Sequence, residues 1–159
     1  MTQDNRTVRI VSGGQTGVDR AALDFAIERG VEHGGWCPRG RLAEDGTIPA
    51  GYALNETAGA EYPERTERNV LDSDATLIIV RELPLTGGTQ ATLEFVRKHA
   101  KPVLLICERD GVDQASSRLA QFLAQNRVRI LNVAGPRESQ APGLGTFVRR
   151  VLAAAWIEK

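Results

Sequence analysis

Apolar residues gather in five short runs, separated by longer stretches that are apolar on one side only. The runs are "VRIVSG" (8–13), "GGWC" (34–37), "ATLIIV" (75–80), "PVLLIC" (102–107) and "VRILNVA" (128–134). Several are nearly continuous in Val, Ile and Leu, the pattern of strands covered on both faces, as in a parallel sheet. Between them the spacing turns helical. Val18, Ala21, Ala22, Phe25 and Ala26 fall on one face of a helix over 18–29, which Gly30 is placed to stop. Further helices are expected over about 65–71, 89–99, 115–126 and 146–157. Strand and helix in alternation predict an α/β fold: one doubly wound, mainly parallel five-stranded Rossmann-like sheet with helices on both faces. Its 159 residues suit a single domain spanning 1–159.

The segment 38–64 breaks the alternation. It is long, polar and rich in Gly and Pro, so it is expected to be functional or to hide a short element, with an extra strand near 52–54 as the candidate. The last helix raises a different expectation. Val148, Val151, Leu152 and Ala155 form its main face, and Phe147, Ala154 and Trp156 widen it. Spare apolar surface on a terminal helix predicts a homo-oligomer, a dimer or tetramer.

Charge and cysteine content exclude several functions. Twenty basic residues balance twenty acidic ones, so no net field draws the chain onto nucleic acid or an acidic membrane. No apolar stretch approaches the roughly 20 residues that span a bilayer. The polar start "MTQDNRTVR" has no apolar signal region, and two cysteines cannot frame a disulfide scaffold. A cytoplasmic protein is expected. His33 and His99 are isolated, and no metal set is evident.

Candidate chemistry sits at the strand ends. The stretch "SGGQTGVD" (12–19) places Gly13, Gly14 and Gly17 between the first strand and first helix. Glycines there let backbone N–H groups approach an anion, and the helix N-terminus adds unpaired donors. The same stretch also reads as a capping box, with Thr16 as cap and Asp19 three residues on. It is neither a P-loop nor a dinucleotide fingerprint. A second glycine loop, Gly87 and Gly88 before Thr89, follows the third strand. With a strand order of 2-1-3-4-5, both loops would face one crevice at the carboxyl ends of the strands. Arg39 and Arg41 lie in the loop after strand two, Arg65 and Arg68 just before strand three, and Arg137 after strand five, where guanidinium groups could hold phosphate. The expected ligand-binding set is Gly13, Gly14, Gln15, Thr16, Gly17, Asp19, Arg20, Arg39, Arg41, Gly87, Gly88, Thr89 and Arg137. Glu94, one turn into the helix opened by the second loop, is the candidate acid or base if the protein is an enzyme. Cys37 and Trp36 read as core.

These segments resemble a known family. "SGGQTGVDRAALDFA", "GGWCPRGRLAEDGTIP", "TERNVLDSDATLI", "GGTQAT" and "NVAGPRES" together are similar to the molybdenum cofactor carrier-like proteins, over about residues 8–155. The resemblance implies a Rossmann-like fold, oligomers, and binding of the molybdenum cofactor, a pterin with a terminal phosphate. It makes the glycine loops phosphate contacts and the "PRGR" and "GPRES" arginines ligand contacts. The wider superfamily includes the lonely-guy-type nucleotide phosphoribohydrolases, whose motif is P-G-G-x-G-T-x-x-E. Over 86–94 this chain keeps Gly87, Gly88 and Glu94, but has Thr86 for the proline, Gln90 for the third glycine and Ala91 for the threonine. The altered cradle favours a binding protein for a small phosphorylated heterocycle, the molybdenum cofactor or a nucleotide. A nucleotide-processing hydrolase using Glu94 and an arginine is the alternative, as is a nucleotide-sensing regulator.

Overall fold

The computed structural model describes residues 8–156; residues 1–7 and 157–159, which include Ile157 at the end of the expected last helix, lie outside the described residues. In chain order the elements are β1 (Arg9–Val11), α1 (Val18–Arg29), β2 (His33–Gly34), β3 (Trp36–Cys37), β4 (Leu42–Ala43), β5 (Gly46–Thr47), β6 (Asn55–Glu56), α2 (Tyr62–Leu71), β7 (Ala75–Val80), α3 (Gly87–Lys98), β8 (Val103–Cys107), α4 (Val112–Gln125), β9 (Ile130–Ala134) and α5 (Leu144–Ala155). Five strands form one parallel sheet, flanked by five helices. Four of the five apolar runs each supply one strand of it, and the second, 34–37, reaches it only through Gly34, in β2, while its Trp36 and Cys37 pair with β6 in a separate sheet. That run is broken at Gly35.

The sheet order is β2-β1-β9-β7-β8. Strands one and three are therefore not neighbours: β9, from the fifth run, lies between them, with Val11 opposite Asn132 on one side and Leu77 opposite Val133 on the other. The expected order 2-1-3-4-5 is corrected to 2-1-5-3-4. Apolar runs of a parallel sheet look alike, and nothing in their local pattern assigns lateral position. Numbered from β9, then β1, β2, β7 and β8, the order reads 3-2-1-4-5. That is the doubly wound order, with the chain entering at its second strand.

Alternation along the central strand divides the core. Leu77 and Ile79 join the larger cluster with Ile10, Leu131 and Val133 under α1, α4 and α5. Ile78 and Val80 join Cys107, Leu85 and Leu93 on the α3 side. Helix α5 packs against both α1 and α4. Its Phe147, Val148, Val151 and Leu152 are buried there, and Trp156 meets Phe25 edge-on at 5.6 Å. Most of the apolar face expected to meet a second subunit is thus spent within the chain; of those residues only Ala154 is fully exposed. No helix among the described residues is long and apolar enough to cross a membrane.

The segment 38–64 is organised by Arg41. Its guanidinium donates to the carbonyls of Ile48 (3.1 Å), Pro49 (2.7 Å), Tyr52 (2.9 Å) and Leu54 (3.5 Å). Strands β4 and β5 make a small antiparallel hairpin, and β6 pairs in parallel with β3. The extra strand lies at 55–56, not 52–54, because Asn55 and Thr57 bond to the carbonyls of Gly35 and Cys37.

Candidate functional site

A cavity of about 340 Å³ opens at the carboxyl ends of β1, β9 and β7, within the range of small-molecule sites. This is where the doubly wound order reverses, between β9 and β7, and so where such sheets bind ligands. Of the expected set, Gly13, Gln15, Asp19, Gly87, Gly88, Thr89 and Arg137 line it. Residues of α2 complete one wall, chiefly Tyr62, Arg65, Thr66 and Asn69, while Asn132 to Gly135 lie between the two loops.

In the first glycine loop the protein's own groups take the N–H groups of Gln15, Thr16 and Val18. Asp19 folds back, and its Oδ2 accepts the Gln15 backbone N–H at 3.2 Å. The Thr16 N–H donates to Gln15 Oε1 at 3.1 Å, and the Val18 N–H meets the Pro136 carbonyl at 3.4 Å. The Thr16 hydroxyl donates to Glu44 and accepts the Glu138 N–H at 3.1 Å. Helix α1 therefore starts under the 136–138 loop. Its cap is Gly17, not Thr16, and no side chain bonds the cap. Gly17 has φ 82°, and a Cβ there would come within 2.6 Å of Pro136 O and 2.7 Å of Glu138 N. Gly14, at φ 79°, faces Leu54 and Ile48 of the 38–64 segment, away from the cavity. Gly13 makes room for Arg65: a Cβ there would overlap the guanidinium.

The second glycine loop is the open one. Gly87, Gly88 and Thr89 form the first turn of α3, whose backbone N–H groups have no acceptor within the helix. None of the three finds one elsewhere among the described residues. The first intrahelical bond, Gln90 N–H to Thr86 O at 3.3 Å, comes just after them. A Cβ on Gly88 would meet nothing within 4 Å. The partial positive charge of a twelve-residue helix thus ends in the cavity wall.

Two arginines join it. The Arg137 side chain makes no hydrogen bond among the described residues. Arg65 is 9% exposed, with Tyr62 stacked at 5.2 Å and Asp19 Oδ2 at 3.4 Å. Its Nε is buried with no partner. Buried guanidinium N–H groups are ordinarily satisfied, so the unpaired Nε of a residue that lines the cavity stands out. Arg65 belongs to the site by geometry, although among the sequence candidates it was one arginine of several.

The remaining candidates lie elsewhere. Arg20 donates to the Gly14 carbonyl at 3.0 Å and pairs with Asp45 at 2.5 Å, clamping the β4–β5 hairpin onto α1. Arg41 is consumed by four carbonyls. Arg39 is exposed and lines no part of the cavity. Glu94 is exposed on the outer face of α3, and the cavity wall takes Ala91 and Thr92 from that turn instead. Cys37 is buried, and burial pushes its thiol up. Trp36 donates to Asp72 at 2.6 Å under the Arg68 guanidinium. Among the described residues no group of His, Cys, Asp and Glu is arranged to hold a metal ion.

Asp19 is the electrostatic anomaly of the site. Burial raises its carboxyl to about 6, against the opposing pull of Arg65 and the loop N–H groups. A folded value above the ordinary carboxylate value of 3.8 means that ionisation costs stability: the contribution is intact below about pH 4 and is lost as pH rises through 6. Asp19→Asn removes this titration. The natural chain should lose about 3 kcal/mol relative to Asp19→Asn between pH 3.5 and pH 7.5. Urea unfolding of both proteins across that range checks it; a constant difference would contradict the burial argument. A group kept ionised at a cost to the fold is characteristic of functional sites.

Comparison with known proteins agrees with this architecture. The family model described as "Circularly permutated YpsA SLOG family" matches residues 10–156. The crystal structure of a "Putative molybdenum carrier protein" from Syntrophus aciditrophicus SB superposes with a TM-score of 0.92 at 41% identity, covering 96% of each chain. No curated protein matches the chain.

Proposed function

The chain belongs to the circularly permutated YpsA SLOG family, and from that premise we propose that it binds a small phosphorylated heterocycle, with the phosphate on the N-terminus of α3. The observation that carries this reading is the pairing of three unbonded N–H groups at Gly87–Thr89 with a buried Arg65 Nε that lacks an acceptor, on one cavity. Phosphate oxygens are strong acceptors and satisfy both. Arg137 adds charge from the third side.

The relative from Syntrophus aciditrophicus carries a molybdenum carrier name, and molybdenum cofactor is the first ligand to test here. Neither cysteine lines the cavity. Protein contact with such a ligand would therefore fall on its phosphate and ring, and the metal would gain no soft protein ligand. A nucleotide offers the same two parts and is the second ligand to test. The exposed position of Glu94 weighs toward binding and against the hydrolase. Self-association remains part of the proposal, through a surface other than the buried face of α5.

Calorimetry tests the phosphate directly. A nucleoside monophosphate should bind at least tenfold more tightly than its nucleoside, with the difference shrinking in 0.5 M salt. Equal affinities would remove the phosphate from the reading. Mass spectrometry and metal analysis of the protein as purified would name what it carries.

A further inference from the structure

We infer that Asp19 selects the ring of the ligand: the cavity takes a heterocycle bearing an exocyclic amino group, whose N–H is accepted by the Asp19 carboxylate while the phosphate lies on α3. This rests on the phosphate reading above and adds the chemistry of the opposite end.

The two ends are set apart by the sheet. Asp19 follows β1 and Gly87–Thr89 follow β7, and β9 lies between those strands. Two strand spacings separate the loops by about 10 Å. Asn132 to Gly135, at the carboxyl end of β9, span the gap. A phosphate at one end therefore leaves its ring near the other.

Asp19 is the protein's own anion in the first glycine loop, and it decides what cannot bind there. The Arg65 guanidinium meets it at 3.4 Å and lies between it and a phosphate on α3, so the two anions face opposite sides of one cation. What Asp19 accepts is a donor. An ionised carboxylate is acceptor-only, with about four lone-pair sites. The Gln15 N–H and Arg65 Nη1 both donate to Oδ2, and the Gly13 N–H also favours the carboxylate. The nearby Ser12 hydroxyl is turned to Val133 O at 2.6 Å. With about four lone-pair sites, the carboxylate keeps room at Oδ1 for a further donor, on a side chain that lines the cavity. Its two side-chain neighbours offer no acceptor of that kind. Arg65 is cationic, and Gln15 Oε1 is engaged by the N–H groups of Thr16 and Glu44.

The variant to use is Asp19→Asn. Its amide oxygen must stay with the Gln15 N–H and the Arg65 guanidinium, which both donate. That puts the amide NH2 where Oδ1 was, and a donor then faces the ligand's donor. The substitution should reverse the preference, not merely weaken binding.

The experiment is calorimetric titration at pH 7.5 of the natural protein and of Asp19→Asn with GMP, AMP and purine riboside 5′-monophosphate, which lacks an amino group. Guanosine and adenosine are run alongside as phosphate-free controls. At least one amino-bearing nucleotide should bind the natural protein at least tenfold more tightly than purine riboside 5′-monophosphate, and Asp19→Asn should erase that ratio or invert it. Equal affinities for all three nucleotides in both proteins, each still tighter than the nucleosides, would overturn the role of Asp19 and leave the phosphate reading standing. Nucleotides no tighter than nucleosides would bring down the phosphate reading, and this inference with it.

Discussion

Gly88→Asp should fold as stably as the natural chain and lose phosphate affinity by about a hundredfold or more, since two like charges about 4 Å apart repel by several kcal/mol in a partly buried site. The residue separates folding from binding. A side chain there meets open space, and Gly88 is not in the left-handed region. Aspartate in the first turn of a helix also complements the dipole, so stability should stay within about 1 kcal/mol of the natural chain. Thermal unfolding and calorimetry with a nucleoside monophosphate read the two quantities independently. Retained affinity would mean that the phosphate does not sit on α3.

Gly17→Val should do the reverse and damage the fold. Its Cβ would press on the backbone of Pro136, Arg137 and Glu138, which cannot swing away as a side-chain end can. The residue also holds φ 82°, where a β-branched side chain is strained by about 1–3 kcal/mol. The sum should reach about 4 kcal/mol, among the largest single-residue effects. Denaturant unfolding measures it. A loss below 1 kcal/mol would show that the 136–138 loop yields easily and that the cover over α1 is loose. Gly14→Val, which the glycine cluster alone would assign to ligand binding, belongs with Gly17 here: its side chain would meet Leu54 and Ile48.

Both outcomes depend on a distinction that the sequence does not carry. Two glycine loops after two strands were legible, and so were the strand and helix segments. Helix α1 runs over 18–29 as its apolar spacing predicts, and Gly30 takes the left-handed stop. What was hidden is which loop is filled. That depends on Asp19 turning back onto Gln15, and on the loop after β9 landing on Gly17. Both follow from the lateral place of β9, which parallel apolar runs leave undetermined. The arginines show the same limit. Arg41 and Arg20 look as available as Arg65 and Arg137 in the sequence, and only packing reveals that carbonyls and Asp45 consume the first two. A signal for Arg65 did exist. Tyr62, Arg65, Thr66 and Asn69 recur at helical spacing on α2, a polar stripe. Arg65 and Asn69 on that stripe are buried, and all four line the cavity. Asn69 clasps the backbone of Trp36 from both its amide atoms, at 2.8 and 3.0 Å. Buried polar residues at i, i+3 or i+4 and i+7 mark a helix that faces a site as well as a core.

The most direct test of the central claim is a titration of the ¹⁵N-labelled protein with a nucleoside monophosphate, followed by amide resonances. The open end of α3 predicts saturable shifts of Gly87, Gly88 and Thr89 together with the Arg65 Nε–H, while Gly14, beneath the 38–64 segment, and Thr16 and Gly17, beneath the 136–138 loop, stay nearly still. Saturable shifts confined to Gly14, Thr16 and Gly17, with Gly87–Thr89 unmoved, would contradict it and return the anion to α1.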